Sequence, residues 1–180
     1  MCLLVLAWQS HPRYRLVLAG NRDEFHARSS APAGWWQDAS HILGGRDLEA
    51  GGTWLGVSRG GRFGVVTNYR EIAAPTGGGR SRGTLITEFL STQKDPAVWS
   101  SELDAEGAAY GGFNLLVGDR QQIHYVSNRG PDSVPLHPGV YGLSNRRLDT
   151  PWPKLTRARA VFKEIIRHSS LDAEALFGML

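Results

Sequence analysis

A chain of 180 residues with 41% hydrophobic and 21% charged residues has the composition of an ordinary globular protein. Its net charge of +3 is small and its 20 Lys and Arg are scattered, which argues against a nucleic-acid-binding surface. One cysteine excludes an internal disulfide framework and a cysteine-based zinc site, and suits a reducing compartment.

The chain opens with two apolar runs, 2–8 and 14–20, separated by Gln9-Ser10-His11-Pro12-Arg13. That pattern predicts a hairpin whose strands are buried on both faces. The first run lacks a basic lead-in and a small-residue cleavage site, so it is not a signal peptide. No segment is long enough to cross a bilayer. The expected location is cytoplasmic, with no membrane span.

Residues 21–40, with polar residues, Pro32 and the Trp35-Trp36 pair, predict a long irregular connection. A glycine-punctuated meander follows, with strands over 53–58 and 62–69 turning at Gly60-Gly61. The segment 73–83, containing Pro75 and Gly77-Gly78-Gly79, reads as a mobile surface loop. Helices are predicted over 84–92 and 96–110, the second with Asp95 as N-cap and Pro96 at its first position. Residues 113–118 and 122–127 form a second hairpin, and 140–143 a short strand ending at Ser144-Asn145. Leu155, Ala158, Val161, Phe162 and Ile165-Ile166 then mark a helix over 154–168. Its basic residues Lys154, Arg157, Arg159 and Lys163 form a solvated face.

Strands, helices, strands, helices is not the alternation of a doubly wound sheet. It predicts an α+β fold, a four-layer αββα sandwich of antiparallel sheets in one domain over 1–180. The last residues, Phe177-Gly178-Met179-Leu180, carry no turn signal, and a domain incomplete at its C-terminal end is expected.

Cys2 is the sole thiol and lies directly behind the initiator Met1. Methionine removal is efficient before a small residue, and it would leave a thiol and a free α-amine on one Cα. That amine, with an ordinary pKa of ~7.7, can act as general base toward the thiol. The alternative is a small buried hydrophobe at a strand start. The second strand runs into Asn21-Arg22-Asp23-Glu24, which a hairpin brings back toward Cys2. A guanidinium there favours the thiolate, and a carboxylate can hold the α-amine. The alternative for Arg22 and Asp23 is a surface ion pair of little consequence.

These residues carry a resemblance. Gly20-Asn21-Arg22-Asp23-Glu24-Phe25 resembles the signature of the NRDE family, which includes the transport-and-Golgi-organisation protein 2 group. Met1-Cys2, Gly44-Gly45-Arg46-Asp47 with Gly52-Thr53-Trp54-Leu55-Gly56, Val66-Thr67-Asn68-Tyr69-Arg70 and Gly142-Leu143-Ser144-Asn145 extend the match along the chain. The layout is similar, more distantly, to the bile-salt hydrolase and penicillin V acylase branch of N-terminal-nucleophile enzymes. That likeness implies Cys2 as nucleophile, Asp23 as the carboxylate on its amine, Asn145 as oxyanion donor and Asn68 as a pocket contact. The late arginine of that branch has no counterpart before Leu180.

The other features have two readings each. Asp47 and Glu49 could pair as acid and base, or sit on a solvated loop. Trp35-Trp36 and Trp54 could line a cleft for a ligand, or pack in the core. Gly51-Gly52 and Gly60-Gly61 lack the Lys of a phosphate loop and read as turns or close-packing positions. Asn21 joins Asn68 and Trp54 as a candidate substrate contact.

Two functions follow. One is an amidohydrolase cleaving a C–N bond of a small molecule through an acyl-Cys2 intermediate, needing no cofactor or metal. The other is a non-catalytic carrier of a hydrophobic ligand such as haem or lipid, linked to Golgi organisation in the family. Cys2, His26, His41 and Tyr69 could ligate haem, though none has a diagnostic spacing.

Overall fold

In the computed structural model, which describes residues 2–71, 79–168 and 170–180, the apolar runs become strands and the 3.6-period run becomes a helix. In chain order the elements are β1 (Leu3–Trp8), β2 (Leu16–Asn21), β3 (Ser30–Trp35), β4 (Ile42–Asp47), β5 (Leu55–Ser58), β6 (Phe63–Asn68), α1 (Arg82–Ser91), α2 (Pro96–Glu106), β7 (Phe113–Gly118), β8 (Ile123–Ser127), β9 (Val134–Pro135), β10 (Gly139–Leu143), α3 (Pro153–Ile165) and α4 (Ala173–Gly178). A 3-10 turn, Gly107–Ala109, follows α2. The chain divides into two compact units: one joins the residues up to Asp23 with Leu136–Leu180, and the other is Glu24–Pro135.

In the first unit, β1 is the centre of a three-stranded antiparallel sheet ordered β10-β1-β2. Every residue of β1 is buried, as its unbroken apolar run requires. Leu3, Val5 and Ala7 pack with Leu155, Ala158, Phe162 and Ile166 on and after α3. Leu4 and Leu6, on the opposite face by alternation, are buried as well. The β1–β2 turn is tied down by His11. Its Nδ1 accepts from the N–H groups of Arg13 and Tyr14, so Nε2 carries the proton and donates to the His168 carbonyl at 2.9 Å.

The second unit is a seven-stranded antiparallel meander, β3 to β9 in sequence order. Phe113, Leu115, Val117 and Val126 pack with Leu85, Ile86 and Phe89 of α1 and Trp99 and Leu103 of α2. Asp95 caps α2 by accepting from the Ala97 N–H at 2.8 Å, with Pro96 at the first position.

Three strands, β3, β4 and the two-residue β9, fall where no regular element was expected. β3 lies inside the predicted irregular connection, since Pro32 and Gly34 mask a strand signal. It is an edge strand with a register shift between Ala31 and Gly34, where the missing proline N–H costs no ladder bond. β4 carries Gly44-Gly45, which erase the period-2 pattern. A Cβ on Gly45 would lie 2.7 Å from the Trp54 ring, which covers it. The loop expected over 73–83 lies mostly outside the described residues. Its described end pairs Arg80 with Tyr110 and begins α1.

Asp47 is settled by its contacts. It is 9% exposed, and Oδ1 accepts from the N–H groups of Glu49 and Ala50 while Arg28 pairs with Oδ2 at 2.7 Å. Burial pushes its carboxyl up, but Arg28 and the two N–H groups outweigh it and hold the pKa below the ordinary value. The turn staple therefore contributes its stability above the unfolded carboxylate pKa of ~3.9 and loses it as pH falls through the lower folded value. Asp47→Ala should cost about 1.5–3 kcal/mol at neutral pH. Urea unfolding of both proteins should show that gap shrinking on acidification below the ordinary carboxylate range.

Candidate active site

The ladders of the first unit fix the surroundings of Cys2. Leu3 pairs with Asn21 on β2, and Leu4 with Leu143 on β10. Extended past the strand ends, by one residue along β2 and by two along β10, these registers would set Cys2 level with Arg22 on one side and Asn145 on the other. By alternation along β1, Cys2 falls on the face of Leu4 and Leu6, away from α3.

The backbone around Cys2 is held from both flanks. The Ser144 hydroxyl donates to the Cys2 carbonyl at 2.6 Å, and the Leu3 N–H donates to Asn21 Oδ1 at 3.0 Å. Asn21 Nδ2 in turn donates to the Leu180 carbonyl at 3.4 Å. Ser144 and Asn145 are buried, Cys2 and Arg22 are half-buried, and Asp23 is exposed.

Asn145 lies on a loop closed by Asp149. The Asp149 N–H donates to the Gly142 carbonyl and its Oδ1 accepts from the Gly142 N–H, both at 2.8 Å. Asp149 takes φ +57°, a left-handed conformation that aspartate tolerates better than most residues. Arg159 of α3 pairs with the same carboxylate at 2.5 Å. Gly142 is the fixed point, because a Cβ there would meet Leu155 at 2.8 Å. Sequence reading took Arg159 as part of a solvated face and did not single out Asp149. An acidic residue four positions after Asn145 carries no signature of its own.

Asn68 and Trp54 belong to the second unit. Asn68 is exposed at the end of β6, and the half-buried Trp54 offers its carbonyl to the Val66 N–H. Trp36 is core, with its indole N–H donating to the Gly44 carbonyl, whereas Trp35 is 46% exposed under the Arg59 guanidinium. Among the described residues, no group of three or more His, Cys, Asp or Glu converges to hold a metal ion. No helix among them is long and apolar enough to cross a membrane.

This α+β arrangement has a solved counterpart. The fold is similar to that of a Caenorhabditis elegans N-acylethanolamine-hydrolyzing acid amidase ortholog, with a TM-score of 0.63 over 99% of this chain and 85% of that one, at 10% identity. The class is therefore the N-terminal-nucleophile hydrolase fold. Within it, the model of the Transport and Golgi organisation 2 family matches residues 1–180, and the chain belongs to that family. It is 41% identical over 194 residues to the human Transport and Golgi organization protein 2 homolog, covering 100% of this chain and 70% of that protein. The mouse homolog is 40% identical, covering 94% of this chain and 66% of its own length. The Drosophila melanogaster protein is 28% identical, again covering 100% and 70%.

Proposed function

We propose that this chain carries cysteine N-terminal-nucleophile amidohydrolase chemistry, cleaving a C–N bond of a small molecule. The observation that supports the reading is the pair of ladders flanking the start of β1, Leu3 with Asn21 and Leu4 with Leu143, and the Ser144 hydroxyl on the Cys2 carbonyl, beside which Arg22, Asp23 and Asn145 follow in the chain.

After loss of Met1, the α-amine takes the thiol proton and the Cys2 sulfur attacks the amide carbonyl carbon. Arg22 favours the thiolate, and Asp23 orients the ammonium. The Asn145 amide donates to the oxyanion of the tetrahedral intermediate. Collapse expels the amine, which takes the proton back from the ammonium and leaves a thioester on Cys2. The α-amine then activates a water that attacks the thioester, releasing a carboxylic acid and restoring the thiol. Asn21 acts here by holding the Leu3 N–H, while Asn68 and Trp54, in the second unit, have no assigned part.

Intact mass should show Met1 removed, and a retained Met1 would sink the free-amine mechanism. A thiol-reactive lactone or amide probe should acylate the wild-type chain once, and Cys2→Ala should not react. An N-acylethanolamine, the substrate class named for the structural neighbour, is a sensible first amide to try. Labelling that is slow and indifferent to Asp23→Ala would instead favour a carrier of hydrophobic ligands.

A further inference from the structure

The second unit contains an open cleft of about 480 Å³ where the β5–β6 turn, the end of α1 and the turn after β7 meet. Arg62, Ser58, His41, Ser91, Gln93 and Asp119 are among the residues lining it. Arg62 stands out because it is a cation only 9% exposed. Its Nε donates to the Phe89 carbonyl at 3.2 Å, and its guanidinium lies over the Phe89 ring at 4.0 Å. Both contacts are to neutral groups.

Among the described residues, Nη2 of Arg62 is buried without a hydrogen-bond partner and no carboxylate forms an ion pair with the guanidinium. Burial lowers its pKa, opposed only at a distance by Asp119 and Asp95. Neither pairs with Arg62, and each already holds other groups. Asp119 Oδ1 accepts from the N–H groups of Gln121 and Gln122, while Asp95 caps α2 and accepts from the Gln122 side chain. A desolvated cation with no counter-charge is costly, and an anion seated in the cleft would offset that cost.

The opposite wall limits the charge of that anion. The last turn of α1 presents its carbonyl end here, and Asp119 adds a negative charge, so a polyanion is repelled. A monoanion that also carries a hydrogen-bond donor satisfies both walls. We propose that the cleft binds a small hydroxy- or amino-carboxylate, with its carboxylate on Arg62 and its donor toward Asp119. Ser91 and His41, 3.4 Å apart at the rim, offer further polar contacts.

The test is titration of the full chain with glycolate, followed by amide NMR. Saturable shifts are expected at residues 58–62 and 90–93, with acetate binding more weakly for want of a donor and pyrophosphate binding no more tightly. Arg62→Met should lower glycolate affinity at least tenfold. Because removing a buried arginine can unfold the unit, Asp119→Asn is the second arm: it keeps Arg62 and should erase the preference for glycolate over acetate. No saturable shift in wild type, undiminished binding in folded Arg62→Met, or an unchanged preference in Asp119→Asn would each overturn the proposal.

Discussion

Asn145→Ala is expected to slow acylation of Cys2 by an amide or lactone probe about 10²–10³-fold, the usual effect of removing one oxyanion donor. The expectation rests on placement: Asn145 directly follows Ser144, whose hydroxyl donates to the Cys2 carbonyl, and is only 8% exposed, so water cannot readily replace its amide. Labelling by a small alkylating reagent, which builds no oxyanion, should be unchanged. That contrast separates lost transition-state stabilisation from a damaged thiol. Asp149→Ala should give a smaller loss in the same assay, because it frees the loop without deleting the donor. Asp149→Asn, which keeps the acceptor for the Gly142 N–H but weakens the pair with Arg159, should recover part of the rate. If Asn145→Ala acylates at the wild-type rate, another group binds the oxyanion. If the wild type itself does not acylate, the amidohydrolase reading fails instead.

How much of this was legible in the sequence depends on where the signal resides. The hairpin of β1 and β2 and the helix α3 announce themselves because periodicity and apolar runs are local. That hairpin alone predicts Arg22 and Asp23 returning toward Cys2. The approach of Ser144-Asn145 from the other flank, through the Ser144 hydroxyl on the Cys2 carbonyl, joins residues 142 apart, and only family resemblance suggested a role for Asn145. Asp149 and Arg159 were unreadable for a related reason. An aspartate in a left-handed turn and an arginine on a helix have no meaning until β10 and α3 are packed together. β3 and β4 were missed because Pro32, Gly34, Gly44 and Gly45 answer to edge position and close packing rather than to strand propensity. The paired reading of Asp47 and Glu49 as acid and base gives way to the turn staple, since Asp47 spends its oxygens on two N–H groups and Arg28.

Gly52→Ala should be among the most destabilising small substitutions in the chain, at about 3 kcal/mol or more. A Cβ there would lie 2.5 Å from the Gly83 carbonyl carbon, 2.6 Å from its oxygen and 2.9 Å from the Thr84 nitrogen. All three are backbone atoms of the first turn of α1, so no rotamer change relieves the clash. The backbones touch because the Thr53 N–H donates to the Gly83 carbonyl at 3.2 Å, seating the helix start on the segment before β5. The Gly52 carbonyl meanwhile accepts from the Asp47 N–H at 2.9 Å, so the segment cannot retreat without breaking the turn that Asp47 staples. The added methyl must therefore lift α1, whose Leu85, Ile86 and Phe89 are fully buried in the core of the second unit. Gly34→Ala is the matched control. Its Cβ would meet nothing within 4 Å, and its stability should stay within about 0.5 kcal/mol of wild type or rise slightly. Urea denaturation of the two variants checks the difference. Equal midpoints would mean that α1 is not held by this backbone contact.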